Sequence, residues 1–405
     1  MRVAIVVEGT RGDVHPMLAL GRSLMSAGHA VRLCAPPDFE DVVRAEGMDF
    51  VALGVNIREF IDVSAEALHS GGLQFGREMT RYGRISLKSQ FEVLPGATAD
   101  ADRVFAAGTI LGAASAAELH GTPFRYVIYT PALLPSAEHT PAVFPFQVSS
   151  RRVNRALWWL AARMMNGIAR GDLNRERRAL GLPPVRDVMR HVMGERPILA
   201  VDHALAPPLS DCAVPHDRIR CLHPLDGEPL PEKLESFLGQ GPPPVYLGFG
   251  SMPDPKPGET TRRLLDAIAQ IGCRALISKG WAGLGGSPLP HGVLAIDPVS
   301  HASLFPRVAA VVHHGGAGTT HAAARAGVPQ IVIPHVLDQF YFGRRVFALG
   351  IGPRPIPRRQ LTPEQLADTV RATLDNELAT ERARDLRERL AVLGPATPDP
   401  EFVLR

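Results

Sequence analysis

The sequence predicts an α/β fold of two doubly wound domains in tandem, each a parallel sheet covered by helices. Short, continuous runs of β-branched and apolar residues alternate with helical segments, a pattern typical of strands that are buried on both faces. This alternation stops at a proline-rich segment near the middle of the chain and then resumes. A chain of 405 residues is long enough for two domains of ordinary size.

The first domain is predicted to begin with a strand, a loop, a helix and a second strand. The strand RVAIVV leads into the loop EGTRGDVH, and AVRLCA follows as the second strand. We expect the helix to span residues 16–27, because Pro16 suits a first helical turn and Gly28 suits a C-terminal cap. Further apolar runs predict strands at residues 103–106, 124–129 and 198–201.

Residues 207–244 are the best candidate for a boundary between domains, because prolines and glycines are concentrated there. The runs VYLGFG, RALISKG, VLAID, AAVVHH and QIVIP predict the strands that follow it. The charged helical pattern at 381–393 fits packing against either domain. We therefore expect an N-terminal domain over 1–215, a linker over 216–244, a C-terminal domain over 245–380 and a helical tail over 381–405.

Composition and charge exclude several classes of protein. The chain is 45% hydrophobic and 21% charged, as in globular domains, and its net charge of +3 does not predict a nucleic-acid partner. We expect no signal peptide, because Glu8 interrupts the first apolar run, and no apolar run reaches the ~20 residues that span a bilayer. The dispersed cysteines suit a reducing compartment. We therefore expect a cytoplasmic protein, a monomer or weak dimer.

Four turns of the second domain each follow a predicted strand and carry small or polar residues: GFGS, SKGW, DPVSH and HHGGAGTT. The carboxyl ends of parallel strands meet at one edge of a sheet, so these turns should converge on one ligand. A helix that begins near Gly316 offers free backbone N–H groups and its positive dipole end to an anion. The turns therefore predict a phosphate site, although HHGGAGTT also fits a tight turn capped by threonines.

Two common nucleotide-binding classes do not fit these turns. The first turn, GTRGD, lacks the G-x-G-x-x-G fingerprint, and the second strand ends in CAPP rather than in an acidic residue for a ribose. No G-x-x-x-x-G-K-[ST] motif is present, which excludes a typical ATPase loop. We therefore expect neither a dinucleotide bound through a G-x-G-x-x-G turn nor ATP bound through a G-x-x-x-x-G-K-[ST] loop.

Taken together, these segments resemble the family 1 glycosyltransferases of the GT-B fold, in the branch of glycopeptide-antibiotic and sterol glucosyltransferases. VYLGFGSM, SKGW, LFPRVAAVVHHGGAGTT and the pair Asp338–Gln339 follow that family in order and spacing, and GTRGDVHP matches its opening loop. Residues 55–94 match little, in a region where these enzymes diverge to fit acceptors. The resemblance implies two Rossmann-like domains that face each other across a cleft.

The resemblance also implies a reaction, namely transfer of a hexose from UDP-glucose or a dTDP-sugar to an acceptor hydroxyl, with inversion and without a metal or cofactor. The residues that would bind the diphosphate, with help from Ser251, are His313, Gly315, Gly316, Thr319 and Thr320. Trp281, Val299 and His301 would lie around the base, and the pair Asp338–Gln339 would bind the sugar hydroxyls. Trp281 also fits a core residue, and Asp338 also fits a helix N-cap. The donor residues implied are Arg11, Gly12, Gly250, Ser251, Ser278, Gly280, Trp281, Val299, His301, His313, Gly315, Gly316, Gly318, Thr319, Thr320, Asp338 and Gln339.

Asp13 is the predicted general base, on the first strand-to-helix loop. A solvated aspartate has a pKa of about 3.9, so burial should raise the pKa of Asp13 to a useful value. Capping of the following helix is the alternative role. Relatives use a histidine supported by an aspartate near position 108, where this chain has Gly108 and Thr109. His15 is therefore expected to neighbour the acceptor, with catalysis as its alternative.

The acceptor is expected to be hydrophobic: a sterol, a polyketide or a glycopeptide aglycone. Residues 141–178 combine aromatics, methionines and arginines, with an apolar stripe at Leu157, Leu160, Ala161 and Met164. The stripe fits a helix packed on the first sheet, or a surface that meets an apolar acceptor and contacts the inner face of a membrane. Two other functions remain open: a nucleotide-sugar epimerase or hydrolase, and a non-catalytic partner protein that binds a nucleotide sugar.

Overall fold

The computed structural model describes residues 1–61, 63, 72–222, 227–286, 288–393 and 399–404 of the chain. Parts of three predicted segments, namely the variable region 55–94, the linker and the tail, fall outside these ranges. The described residues form two parallel sheets with helices on both faces. The predicted architecture of two doubly wound domains is confirmed.

The first domain contains a seven-stranded sheet in the order β3-β2-β1-β4-β5-β6-β7, and every neighbouring pair is parallel. Two apolar clusters cover its two faces. Its strands are β1 (Arg2–Glu8), β2 (Ala30–Ala35), β3 (Asp49–Ala52), β4 (Arg103–Gly108), β5 (Phe124–Ile128), β6 (Ile198–Ala200) and β7 (Asp217–Ile219). Its helices are α1 (Arg11–Ser26), α2 (Glu40–Ala45), α3 (Gly72–Ala97), α4 (Ala113–His120), α5 (Arg151–Ala179) and α6 (Val188–Met193).

The second domain contains a five-stranded parallel sheet in the order β10-β9-β8-β11-β12. Its strands are β8 (Val245–Gly248), β9 (Ala275–Ser278), β10 (Val293–Ile296), β11 (Ala310–His313) and β12 (Gln330–Val332). The helices of the second half of the chain are α7 (Glu232–Gly239), α8 (Pro257–Ile271), α9 (His301–Leu304), α10 (Ala317–Ala326), α11 (Gln339–Ala348), α12 (Pro363–Leu374), α13 (Glu377–Val392) and α14 (Pro400–Leu404).

The segment 216–244, for which the sequence predicts a linker, contains regular structure at both ends. Strand β7 pairs with β6 and extends the first sheet. Helix α7 packs its Leu234 and Leu238 into the core of the second domain, beside Tyr246 of β8. The connection between the domains is therefore shorter than predicted. Residues 223–226 of that connection lie outside the described ranges.

The C-terminal tail packs against both domains. Helix α13 packs against the second domain, where its Leu386 and Leu390 join an apolar cluster with Val332 of β12. Helix α14 returns to the first domain and inserts Val403 and Leu404 into one face of its core. No helix among the described residues is both long and apolar enough to cross a membrane.

A buried ion cluster joins the two domains near the C-terminal tail. The carboxylate of Asp202, which has no exposed surface, accepts from Arg220 Nε at 3.1 Å and from Arg325 Nη2 of the second domain at 2.9 Å. The Asp202 N–H lies 3.2 Å from Nε2 of His321, also of the second domain. Burial alone would raise the pKa of Asp202, but the neighbouring His321, Arg325 and Arg220 hold it below its ordinary value.

Asp202→Asn should destabilise the protein by about 3 kcal/mol, because it removes the fully buried anion that pairs with two partly buried guanidinium groups. Urea denaturation would measure the loss. The folded-state pKa is depressed, so the ionised carboxylate stabilises the fold above its unfolded pKa of about 3.9, and this contribution is lost as the pH falls through the folded pKa. Asp100→Asn, which removes an exposed partner of Arg2 and Arg32, is the matched control. Equal denaturation midpoints for the two variants would contradict the prediction.

Candidate active site

The carboxyl edges of both sheets open into one cleft between the domains, with a volume of about 2290 Å³. The loop after β1 lines one side, and the loops after β8, β9, β10, β11 and β12 line the other. The convergence predicted for the four turns of the second domain is therefore observed. Residues of the first domain line the cleft opposite these turns.

The loop after β1 is shorter than predicted, because α1 begins at Arg11 and not at Pro16. Thr10 caps the helix: its Oγ1 accepts from the Gly12 N–H, and Asp13 Oδ2 accepts from the Thr10 N–H at 2.9 Å. This reciprocal arrangement is a capping box. Pro16 then lies inside the helix, where it removes one backbone hydrogen bond.

Asp13 combines the two roles between which the sequence did not decide. Its carboxylate belongs to the capping box, and it also lines the cleft. Burial raises the pKa of Asp13 to about 6, and the hydrogen bonds from Thr10 offset part of the rise. A carboxylate with this pKa can accept a proton near neutral pH far better than a solvated one.

His15 also lines the cleft, but no carboxylate stands at position 108 to support it. Gly108 has a φ of +77°, and a Cβ there would lie 2.1 Å from the carbonyl oxygen of Glu8 and 3.4 Å from Cβ of Asp13. Any side chain at this position would therefore collide with the Glu8 carbonyl at the end of β1. Asp13, in the first turn of α1, is therefore the carboxylate that faces the cleft from this part of the first domain.

Sequence reasoning missed Glu8 as a residue of this region. Its carboxylate is fully buried and accepts hydrogen bonds from Tyr82 Oη and Ser86 Oγ, both at 2.7 Å, and from Gln90 Nε2 at 2.8 Å. All three donors belong to α3, whose Tyr82 and Ser86 line the cleft. Burial raises the pKa of Glu8, although the three hydrogen bonds partly offset it. The signal in the sequence was a lone acidic residue at the end of an apolar strand.

On the second domain, His314 faces the cleft and His313 does not. His313 ends β11, and its Nε2 lies 3.0 Å from Oε1 of Gln330 on the neighbouring strand, while its Nδ1 accepts from the Gly315 N–H at 3.1 Å. It is fully buried, so the diphosphate role expected of His313 does not fit its position. His314, which the sequence analysis left out, lines the cleft instead.

The His314 ring is held between two glycines of the predicted turns. A Cβ on Gly250 would lie 3.0 Å from its Cε1, and a Cβ on Gly316 would lie 2.5 Å from its Nε2. Its Nδ1 has no hydrogen-bond partner among the described residues. Burial lowers the pKa of His314 to about 4, so the imidazole is neutral at pH 7 and one ring nitrogen carries a proton for donation.

The rest of the HHGGAGTT turn divides into residues that face the cleft and residues that hold the turn. Gly316, which caps α10, lines the cleft together with Gly318 and Thr319, so the N-terminus of this helix points into it. Thr320 is buried and donates to the Gly316 carbonyl at 2.9 Å. Gly315 has a φ of +89° and leaves room for Val332. Thr320 and Gly315 are therefore structural, contrary to their expected contact with phosphate.

The loops after β8 and β9 are bonded to each other. The backbone N–H of Trp281 donates to the Gly250 carbonyl at 3.0 Å. Gly280, with a φ of +54°, leaves room for that carbonyl. The Trp281 ring packs against Ile57, Ile61 and Tyr82 of the first domain, and the Arg11 guanidinium lies 6.0 Å from its centroid. This contact across the cleft accounts for the tryptophan without a nucleobase, so its role toward the base stays a prediction.

The other residues expected to bind the donor also line the cleft, Arg11 and Gly12 from the first domain and the rest from the second. The His301 ring stacks on Phe305 with their centroids 4.3 Å apart. Ser278 is buried and shares a hydrogen bond with the Tyr246 hydroxyl. The lining residues of this group are Arg11, Gly12, Gly250, Ser251, Ser278, Gly280, Val299 and His301.

Asp338 occupies the N-cap position of α11, but its side chain makes no capping hydrogen bond. It lines the cleft, and burial together with the charge of Asp13 raises the pKa of Asp338 to about 7. The two carboxylates thus act on each other across the cleft, one from each domain.

Gln339 supports the loop before Asp338. Its Oε1 accepts from the N–H groups of His335 at 2.7 Å and Val336 at 3.0 Å, and its Nε2 lies 3.3 Å from Sδ of Met252. The same loop contains Leu337, which has a φ of +53° that is unfavourable for a residue with a side chain. Gln339 therefore positions Asp338, and its amide oxygen is occupied by the protein.

The remaining wall of the cleft, on the first domain, is mostly apolar. Ile110, Leu133, Met165, Met189 and Val192 line it. Across the described ranges, no group of three or more His, Cys, Asp or Glu side chains is arranged to hold a metal ion. The cleft thus has one polar half that can receive an anionic ligand and one apolar half next to Asp13.

Comparisons with known proteins agree with this geometry. The glycosyltransferase family 28 N-terminal domain matches residues 3–135, and the erythromycin biosynthesis protein CIII-like C-terminal domain matches residues 262–404. Vancomycin aglycone glucosyltransferase from Amycolatopsis orientalis is 36% identical over 367 residues, which cover 88% of this chain and 87% of that protein. A sterol 3-beta-glucosyltransferase from Arabidopsis thaliana is 32% identical over 405 residues, which cover 94% of this chain and 64% of that protein.

Solved structures share the whole fold. Glycosyltransferase VinC in complex with dTDP has a TM-score of 0.70 at 21% identity, and the match covers 100% of this chain and 98% of that chain. The glycotransferase of kitacinnamycin has a TM-score of 0.72 at 21% identity, with the same coverage. With two sheets facing one cleft, the two family models and these relatives, the chain belongs to the GT-B glycosyltransferases, in the branch that includes glycopeptide-aglycone and sterol glucosyltransferases.

Proposed function

We propose that this glycosyltransferase moves a hexose, glucose in the first instance, from UDP-glucose or a dTDP-sugar to a hydroxyl of a hydrophobic acceptor, with inversion and without a metal. The proposal depends chiefly on one observation: Asp13 of the first domain and Asp338 of the second line the same cleft, and the charge of Asp13 contributes to the raised pKa of Asp338. In the proposed complex, a sugar held by Asp338 faces an acceptor hydroxyl that is bound to Asp13.

In the proposed reaction, Asp13 removes the proton of the acceptor hydroxyl as its oxygen attacks the anomeric carbon. The bond from that carbon to the diphosphate oxygen breaks on the opposite side, and the leaving oxygen keeps the electron pair, so the configuration inverts. The N-terminus of α10, the His314 imidazole, Thr319 and Ser251 would hold the diphosphate and the charge that it gains. The position of these four groups on the polar half of the cleft supports this assignment.

Asp338 is the proposed ligand of the sugar hydroxyls. With a pKa of about 7 it is partly protonated at neutral pH, so it can donate as well as accept a hydrogen bond. Arg11, at the start of α1 on the facing domain, adds a cation to the same cleft. Trp281, Val299 and His301 are proposed to surround the base.

The acceptor class is proposed from the apolar half of the cleft together with the relatives. A sterol, a polyketide or a glycopeptide aglycone presents a hydroxyl on a largely apolar body, which suits a wall of methionine, leucine, isoleucine and valine side chains. A cytoplasmic location is supported by four free cysteines, Cys34, Cys212, Cys221 and Cys273. We propose a monomer or weak dimer as the working state.

The function is tested directly by incubating the purified chain with UDP-glucose or with dTDP-glucose and pools of sterols, polyketides and glycopeptide aglycones. Mass spectrometry should find a hexose added to one acceptor class with one of the two donors. Free glucose formed without an acceptor product would favour a hydrolase instead. Binding of the nucleotide without any turnover across all pools would favour the non-catalytic partner.

Asp13→Asn should lower kcat by about a hundredfold to ten-thousandfold, which is the usual contribution of a general base. Donor binding, measured by calorimetry with UDP and dTDP, should change little, because the nucleotide lies on the other domain. Asp41→Asn, at an exposed carboxylate on the cleft rim, is the matched control. Loss of nucleotide binding together with activity would contradict the assigned role.

The same role predicts the dependence on pH. Activity should fall as the pH drops through about 6, because Asp13 then becomes protonated and cannot accept the hydroxyl proton. The profile of kcat/KM against pH should fall on its acidic side with a single pKa. The Asp338→Asn variant should show the same decline in its residual activity. A limb near pH 4, that of a solvated aspartate, would be inconsistent with a buried base.

His314→Ala should weaken binding of UDP or dTDP by about tenfold, the contribution of one good hydrogen bond to phosphate. His313→Ala should instead leave the buried amide oxygen of Gln330 without its partner and lower stability by about 1–3 kcal/mol. Calorimetric titration and thermal melting of both variants separate these effects. The assignment fails if His313→Ala weakens nucleotide binding and His314→Ala does not.

A further inference from the structure

Helix α5 presents an apolar stripe to solvent. Val153, Leu160, Met164 and Ile168 are 45%, 40%, 40% and 58% exposed, and half-buried Leu157 lies between them. Their spacing places all five on one face of the helix, which we call the α5 stripe. Packing of such a stripe on the first sheet was one of the two predicted arrangements. The helix instead packs through a different face that includes Asn154, Ala169, Leu173 and Arg177.

Cations and a tryptophan line one edge of the α5 stripe. Arg152, Arg163 and Arg170 are exposed and follow one another by whole turns along the helix. Trp159 is 62% exposed, and the Arg163 guanidinium lies 4.9 Å from its ring centroid. Trp and Arg beside an apolar face are typical of helices that lie at the level of lipid headgroups.

Acidic side chains do little to balance these cations. The acidic residues of α5 are Asp172 and Glu176. Asp172 is already paired with Arg84 of α3, at 3.1 Å, and with Arg175. A helix whose exposed charge is largely of one sign favours a polyanionic surface over a protein interface, where charges of both signs are usual.

The α5 stripe is continuous with the apolar half of the cleft. Ile168 belongs to the stripe and also lines the cleft, next to Met165. Val143, 51% exposed, lines the same opening, and Phe146, 42% exposed, stacks on Phe144 near it. An apolar molecule could therefore pass from the outer surface of α5 into the cleft along apolar side chains.

We propose that the α5 stripe docks on an anionic lipid bilayer, with Trp159 and the three arginines at the headgroups, and that the acceptor enters the cleft directly from that bilayer. The docking rests on exposure and charge. The entry route rests in addition on the proposed transfer to a hydrophobic acceptor. A second copy of this chain and an acidic protein are the other occupants that the test separates.

The test is sedimentation of the full chain with vesicles of phosphatidylcholine alone or mixed with phosphatidylserine. We expect binding to the mixed vesicles, weakened by salt, and little binding to phosphatidylcholine. Leu160→Ser with Met164→Ser, and separately Arg152→Glu with Arg163→Glu, should each reduce binding by roughly tenfold or more. Leu378→Ser with Val392→Ser, at exposed positions of α13, is the matched control and should change nothing.

Absence of wild-type binding to the mixed vesicles would overturn the proposal, as would binding that both α5 variants retain. If the α5 variants abolish self-association in sedimentation velocity while vesicle binding is unchanged, the stripe is a contact between copies and the proposal fails. Capture of an acidic protein that competes with vesicles at the stripe also argues against it.

The docking measurement uses no sugar donor, so failure of the proposed transfer leaves it intact. Where an acceptor is known, the α5 variants should keep activity on acceptor in detergent micelles and lose it on acceptor embedded in mixed vesicles. Equal loss in both assays would contradict the entry route. Melting temperatures equal to wild type would show that the variants are folded.

Discussion

The buried ion cluster of Asp202, Arg220 and Arg325 is the contact on which the geometry of the cleft depends. Neither sheet carries the whole of the proposed site: the first domain carries Asp13, and the second carries Asp338 and His314. The proposed reaction therefore requires a defined relation between the two sheets. Arg344 and Arg345 of α11 reinforce this relation, because they donate to the backbone oxygens of Val148 and Leu205 at 2.8 Å each.

Desolvation sets the charge state of the cleft before any ligand binds. It raises the pKa values of Asp13 and Asp338 and lowers that of His314, so each group moves toward its neutral form. An anionic donor would therefore meet less repulsion than two ionised carboxylates would produce. Once a diphosphate is bound, its negative charge would favour protonation of His314, since an opposite charge favours the charged form of a base. The donor itself could thus strengthen the hydrogen bond that holds it.

Much of the fold could be predicted, because buried parallel strands produce continuous apolar runs that are visible in the sequence. The turns that follow these strands could be predicted for the same reason. The start of α1 was wrong because the rule for proline in a first turn was preferred over the capping box of Thr10 and Asp13, which is equally visible. The exact extent of the linker was less accessible, because β7 and α7 are short and polar at the surface.

Within the site, the choice between His313 and His314 depends on one residue of register. His313 is the last residue of β11 and shares a sheet face with Gln330, whereas His314 is the first residue free to turn into the cleft. A sequence motif alone does not show which of two adjacent histidines faces the cleft. The role of Gln339 depends on the conformation of the loop that precedes it, and that of Trp281 depends on contacts with residues far away in the chain.

Glu8 has a consequence for attempts to exchange acceptor specificity between related enzymes. Its buried carboxylate is satisfied by three side chains of α3, and Gln90 of the same helix also accepts from the N–H groups of Leu111 and Gly112. A chimaera that replaces α3 alone would leave a buried charge without donors and would release the loop after β4. Strand β1 and helix α3, far apart in sequence, therefore form one exchangeable unit, and a crossover between them divides it.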